Sequence, residues 1–111
     1  MHFVDREFVC ERLKISPWSS YRILRPTNIH YISTDEVIAC LNKSAKREDR
    51  LDYIPSDLVT AEDMEKETGI PARKLMLWTR RRRKVIPHFR ITKAITRFRK
   101  STTLQWLKDN G

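Results

Sequence analysis

The strongest constraint on the fold of this chain is that it writes the same pattern twice. Leu58-Val59-Thr60 answers Phe3-Val4-Asp5, and Gly69-Ile70-Pro71 answers Lys14-Ile15-Ser16, both at a spacing of 55 residues. In the first copy Asp5 is a good helix cap ahead of Phe8, Val9 and Leu13, which recur at near-helical spacing. Ser16 then caps a second helix with Pro17 at its first position; that helix carries Trp18, Tyr21, Ile23 and Leu24, and Pro26 ends it. In the second copy Thr60 caps a helix through Thr68, and Gly69 is a natural stop. The next helix is expected over about Ala72 to Arg83, with Leu75 and Trp78 on one face and a mostly basic opposite face. A repeat of this kind organises a chain as related units rather than one continuous pattern.

After the second helix the copies diverge. Ser33-Thr34-Asp35-Glu36 fits a capping box before Val37, Ile38, Cys40 and Leu41, which makes a third helix. The second copy instead inserts two β-branched and aromatic runs, Ile86 to Ile91 and Ile95 to Arg99. Thr92-Lys93-Ala94 lies between them at the length of a hairpin tip. Ser101 is the expected cap of a last helix with Leu104, Trp106 and Leu107. Matching Val37 to Leu104 gives an offset of 67, so the first copy lacks about twelve residues of hairpin. The expected fold is mainly α with a small β-hairpin, as two tandem helix-turn-helix units. The expected organisation is a degenerate unit over 1–42, a polar linker over 43–57 with helical character in its first half, and a complete unit over 58–111.

Charge separates the copies. The 111 residues carry 23 Lys and Arg against 14 Asp and Glu, a net charge of +9. Residues 1–42 hold five of each sign and residues 43–57 four of each, so the whole excess lies in residues 58–111. From Ala72 to Lys100 there are twelve cations and no carboxylate. A solvated helix face usually interleaves both signs, so this stretch points to a polyanion, nucleic acid before an acidic protein or a membrane surface. The 40% apolar content suffices for a modest core, and no apolar run is long enough to span a bilayer. Met1 to Asp5 does not read as a signal peptide, so the expected location is cytoplasmic, at the nucleoid.

Other side chains admit a chemical and a plain reading. Trp78, Phe89, Phe98 and Trp106 fit core positions better than base-stacking platforms. Cys10 and Cys40 lie among apolar neighbours and read as buried thiols rather than nucleophiles. His2, His30 and His88 share no ligand spacing, so no metal or other cofactor is expected; His88 reads equally as a phosphate contact or as a merely exposed side chain. Arg80 to Lys84 could serve as a targeting signal, but an adjoining hairpin favours contact with DNA. Nothing assembles a nucleophile, a base and an orienting group, so an enzyme is not expected.

The segment from about Leu58 to Leu107 resembles the winged helix-turn-helix domain of phage excisionases and the MerR-like superfamily. The likeness rests on Leu58-Val59-Thr60, Gly69-Ile70-Pro71, Trp78-Thr79-Arg80-Arg81, Ile86-Pro87, Arg90, Arg97-Phe98 and Leu104-Gln105-Trp106-Leu107, in that order. Residues 1–42 resemble a degenerate copy, with Cys10 where the family favours a small residue. The chain departs from the pattern at Glu65, where that same small residue is expected, and within Arg82-Arg83-Lys84, where a glycine usually precedes the wing. The resemblance implies double-stranded DNA as partner, with a helix in the major groove and a wing on the backbone or minor groove. Arg73, Lys74 and Leu77 are then the expected base contacts, and Arg80, Arg81, Arg82, Arg83 and Lys84 the phosphate contacts. Arg90, Lys93, Arg97 and Arg99 are expected on the wing, with Arg97 and Arg99 outward and Phe98 in the core. The implied role is a recombination directionality factor that binds and bends DNA beside an integrase site. A small transcriptional regulator, or an interaction module for an acidic partner or a replication complex, is the alternative. Trp18, Tyr21 and Arg22 of the neutral copy form the expected partner surface, for an integrase or a second copy of the chain; packing alone and residual DNA contact both stay open.

Overall fold

Lys14 and Gly69 both take left-handed backbone angles, with φ of 53° and 80°, and each closes a helix whose successor begins three residues later. The chain, seen here as a computed structural model, is described over residues 3–24 and 30–110; it is mainly helical with a few short antiparallel strands. The first half runs β1 (Phe3–Asp5), α1 (Arg6–Leu13), α2 (Pro17–Ile23), β2 (Tyr31–Ser33) and α3 (Thr34–Asn42). After a short 3-10 turn at Arg47–Asp49 come β3 (Leu58–Val59), α4 (Ala61–Thr68), α5 (Ala72–Trp78), β4 (Phe89–Arg90), β5 (Thr96–Arg99) and α6 (Lys100–Asn110). Among the described residues no helix is long and apolar enough to cross a membrane.

The element starts confirm the 55-residue spacing, Arg6 against Ala61 and Pro17 against Ala72. Past the hairpin the spacing is 66, not the expected 67. Phe3 pairs with Ser33 and Val4 with Ile32, while Leu58 pairs with Arg99 and Val59 with Phe98. Val37 therefore matches Thr103, both fully buried, and Leu104 is 37% exposed. Residue type matches Val37 to a leucine, but position in the helix buries the threonine instead, and the extra segment is eleven residues long.

Helix ends follow the expected chemistry in some places and not in others. Ser16 Oγ accepts the Ser19 N–H at 3.2 Å, and Thr60 and Asp63 form a reciprocal capping box. Asp5 and Ser33 sit at cap positions without a side-chain cap bond, so the box expected at Ser33 does not form. The expected end of α2 at Pro26 lies outside the described residues. Helix α5 stops at Trp78, five residues before the expected Arg83, because Thr79 and Arg80 close it with bonds to the carbonyls of Met76 and Leu77. Thr79 Oγ1 also donates to Met76 O at 2.6 Å, and Val85-Ile86-Pro87 beyond favours extended chain. Helix α6 starts at Lys100 rather than after Ser101: Asp57 accepts from the Ser101 N–H at 3.2 Å and hydroxyl at 2.8 Å and so does the capping.

The apolar interior forms two clusters. Val9, Leu13, Leu24, Ile32, Val37 and Leu41 of the first half pack with Leu58, Phe89 and Ile91 of the second. Met64, Leu75, Ile86 and Phe98 make the other cluster, with Trp78 and Trp106 against it. The stretch 43–57 is fastened to the fold at several points. The Asn42 amide both donates to and accepts from the Leu51 backbone, at 2.8 and 2.7 Å, and Pro55 is buried.

Candidate nucleic-acid interface

Helix α5 is held from beneath and left bare above. Pro71 offers no side-chain cap, and Glu65 supplies one by accepting the Ala72 N–H through Oε1 at 3.0 Å. The Glu65 carboxylate thus joins α4 to α5. Leu75 is fully buried, and the Trp78 ring lies 5.7 Å from that of Trp106. The outer side carries Arg73 and Lys74, both exposed, and Leu77, which is 56% exposed. Lys74 Nζ and the Arg81 guanidinium stand 5.6 and 5.2 Å from the Trp78 ring centre, near enough for cation–π attraction.

Arg80 to Lys84 follow as exposed, non-helical chain, so Arg80, Arg81 and Lys84 do not continue the basic face of α5 that the helical spacing from Arg73 and Leu77 predicts. Lys84 has a φ of 52°, a conformation that disfavours side chains with a Cβ. The ion pairs among the described residues are Lys14–Asp63, Arg99–Asp57 and Lys100–Glu67. Arg73, Lys74, Arg80 to Lys84 and Lys93 are therefore exposed cations with no carboxylate partner among the described residues.

The hairpin pairs Phe89 with Arg97 and Arg90 with Thr96. Its turn needs no glycine, because Thr92 Oγ1 accepts the N–H groups of Ala94 and Ile95 at 3.2 and 3.1 Å. Lys93 is exposed at the turn. Phe98 is fully buried as expected, but the arginines beside it are not free in solvent. Arg97 Nε donates to Leu13 O at 2.8 Å and Nη2 to Lys14 O at 2.5 Å, at the carbonyl end of α1. Burial pulls the Arg97 pKa down, and the nearby Glu62 and Asp63 oppose that shift. Arg99 Nε donates to Asp57 Oδ1 at 3.0 Å and Nη2 donates to the Tyr53 hydroxyl. The alternation of the strand did turn both arginines away from Phe98, but that face is covered by α1 and by residues 53–57. Arg90 is half-buried, and its N–H donates to Ser44 Oγ at 2.7 Å. No signal in the sequence points to this: residues 43–57 balance four cations with four carboxylates, and the pairing of Arg99 with Asp57 is made only by the fold.

In the first half Trp18 is 79% exposed, and Tyr21 and Arg22 are exposed beside it. The Arg6 guanidinium lies 3.8 Å from the Tyr21 ring centre and donates to Ser20 Oγ at 2.8 Å. Cys10 and Cys40 are half-buried and free, and burial raises the Cys40 thiol pKa. His88 Nδ1 contacts its own chain at Ile86 O, 2.8 Å away, rather than open solvent. A groove of about 890 Å³ runs between α2, α3 and the hairpin turn; Ser19, Arg22, Glu36, Lys43, Thr92 and Ala94 are among the residues that line it.

Comparison with protein-family models, with curated proteins and with solved structures finds no match to this chain.

Proposed function

We propose that this chain is a sequence-specific double-stranded DNA-binding protein made of two related helix-turn-helix units, the second of them winged. The observation that carries the reading is the unpaired cationic surface of α5 and the chain after it. Eight exposed Lys and Arg there and at the hairpin turn have no carboxylate among the described residues. Left-handed closures at Lys14 and Gly69, the equal strand registers and a hairpin after α5 support the winged and tandem assignment. In this reading Arg73, Lys74 and Leu77 meet base edges, Arg80 to Lys84 clamp phosphates, and Lys93 enters or flanks the minor groove. Arg97 and Arg99 hold the wing instead of touching DNA.

The excisionase resemblance makes the role a recombination directionality factor, which bends DNA beside an integrase site and performs no chemistry itself. Fluorescence anisotropy with duplex DNA over a range of salt tests the electrostatics. Five phosphate clamps give a slope near −4.5 in log K against log salt, or roughly a 500-fold loss between 50 and 200 mM. Replacing Arg80 to Lys84 with Gln should abolish most of that slope; a flat dependence in the unaltered protein would refute DNA binding. Circular permutation gel shifts then report the bend. Tight binding without bending would favour the transcriptional regulator.

A further inference from the structure

We infer that the neutral first half also touches DNA, through Arg22 of α2 and Lys43 after α3, which continue the phosphate-binding surface beyond the hairpin turn. This rests on the DNA-binding reading above. Arg22 and Lys43 line the same groove as Thr92 and Ala94, the residues that flank Lys93. All three cations are exposed, and none has an ion pair among the described residues. One carboxylate, Glu36, lines the groove against them, so the rim is net positive although the half that supplies most of it is neutral. A polyanion crossing the hairpin turn toward α2 meets this rim next.

The two halves are fastened at the place where this matters. Arg97 ties β5 to the carbonyl end of α1, immediately before α2, and Lys14 Nζ meets Asp63 Oδ2 at 2.7 Å. Ser44, next to Lys43, bonds the backbone of Arg90 in β4. Arg22, Lys43 and Lys93 are thus presented by elements cross-linked to one another, which spares the ordering cost of placing separate flexible contacts on one backbone. Ser19 and Thr92 line the same groove. The long axis of the molecule is 43 Å, the length of about 13 base pairs at 3.4 Å each, so one chain can cover more than a helical turn.

The experiment measures binding of mixed-sequence duplexes from about 8 to about 30 base pairs by the full chain, each over a salt series. For the unaltered protein, affinity should level off only near the length set by the long axis. The Arg22→Gln/Lys43→Gln variant should level off at a shorter duplex, and its salt slope on long duplexes should fall from about −6, for seven phosphates, toward about −4.5 for the five clamps alone. Arg22→Lys/Lys43→Arg should restore both. An unchanged slope and length dependence in the Gln variant, with an unchanged circular dichroism melt, overturns the inference while leaving DNA binding by α5 intact. That outcome would return Trp18, Tyr21 and Arg22 to a protein partner. Absence of salt-dependent binding by the unaltered chain at every length would instead overturn the DNA-binding reading, and this inference with it.

Discussion

The two halves of the molecule share a register and differ in what fills it. Where the second half buries Ala61 and Leu75 in an apolar cluster, the first has Arg6 and Ser20 at the matching places, joined by a buried hydrogen bond. Where the second closes α4 with Gly69, the first closes α1 with Lys14 in the same left-handed region. The second half keeps eight exposed cations around α5 and the hairpin turn with no carboxylate partner among the described residues, while the first turns backbone carbonyls and hydroxyls toward the second. The helix order and strand pairing tolerate a polar interior pair and a strained cap. What they do not dictate is which surface is left for a partner, and there the halves have parted.

The largest effect should come from asking whether the halves are separable at all. Leu13 is fully buried in the cluster that also holds Leu58, Phe89 and Ile91 from the other half. Leu13→Ala should lower stability by about 3 kcal/mol. Urea unfolding followed by circular dichroism, and by amide signals of the hairpin, should show one common midpoint shifted downward. A hairpin that keeps its own midpoint would break the comparison into two independent domains.

Next in size is Arg97, which the sequence assigned to DNA and the fold assigns to α1. Arg97→Gln removes charge-assisted bonds to Leu13 O and Lys14 O, and should cost about 2 kcal/mol of stability. Under conditions where the variant is folded, the salt slope for duplex DNA should stay within error of the unaltered value. A slope reduced by about 1 with unchanged stability would mean that Arg97 faces phosphate after all.

Arg97 shows where sequence reading stopped. The caps at Ser16 and Thr60, the stop at Gly69 and the hairpin are legible because each depends on residues close together in sequence, and the 55-residue spacing because such local signals are written twice. The end of α5 was not, since Arg80 to Arg83 are acceptable helix residues and Thr79 closes the helix through local bonds that compete with its continuation. Ser101 does not cap α6 as its residue type predicts, because the capping carboxylate, Asp57, comes from the chain before β3, more than forty residues away in sequence. In the hairpin, alternation told which side of the strand Arg97 leaves from, but whether that side meets water depends on α1. The candidate site shares this limit. Exposed positions on α5 follow from helix spacing, while the grouping of Arg22 and Lys43 with the hairpin turn appears only in three dimensions.

A smaller effect tests the exchanged interior pair. Ser20→Ala removes the Ser20 Oγ acceptor from a largely buried Arg6 and should cost about 1–2 kcal/mol. Arg6→Ala with Ser20→Leu rebuilds the arrangement of the second half, an apolar pair in place of a polar one. If the two positions are coupled, the double variant should be more stable than the sum of its single changes by about 1 kcal/mol. Additive losses, read from the same unfolding curves, would show that the shared register does not extend to interchangeable interiors.

The smallest effect lies at the tie between Lys14 and Asp63. The hydrogen bond from Lys14, together with those from Thr60, holds the Asp63 carboxyl at about 2, below the ordinary 3.8. A carboxylate whose pKa is lowered by folding contributes stability that is fully present above its unfolded value and is lost as pH falls through its folded one. Stability should therefore be flat from neutral down to about pH 4 and decline from there toward pH 2 on this account. Asp57, held low by its bonds to Ser101 and Arg99 against the opposing effect of burial, should add to the same acid limb. Lys14→Ala leaves the Thr60 capping box and removes only the bond between the halves, so Asp63 should titrate higher and the limb become shallower. Because both partners are well exposed, the change at neutral pH should be slight, and 1 M salt should erase most of it. If the acid limb is the same in Lys14→Ala as in the unaltered chain, the capping box alone sets the titration of Asp63. The halves would then be held together by Arg97, Ser44 and the shared apolar cluster without help from this ion pair.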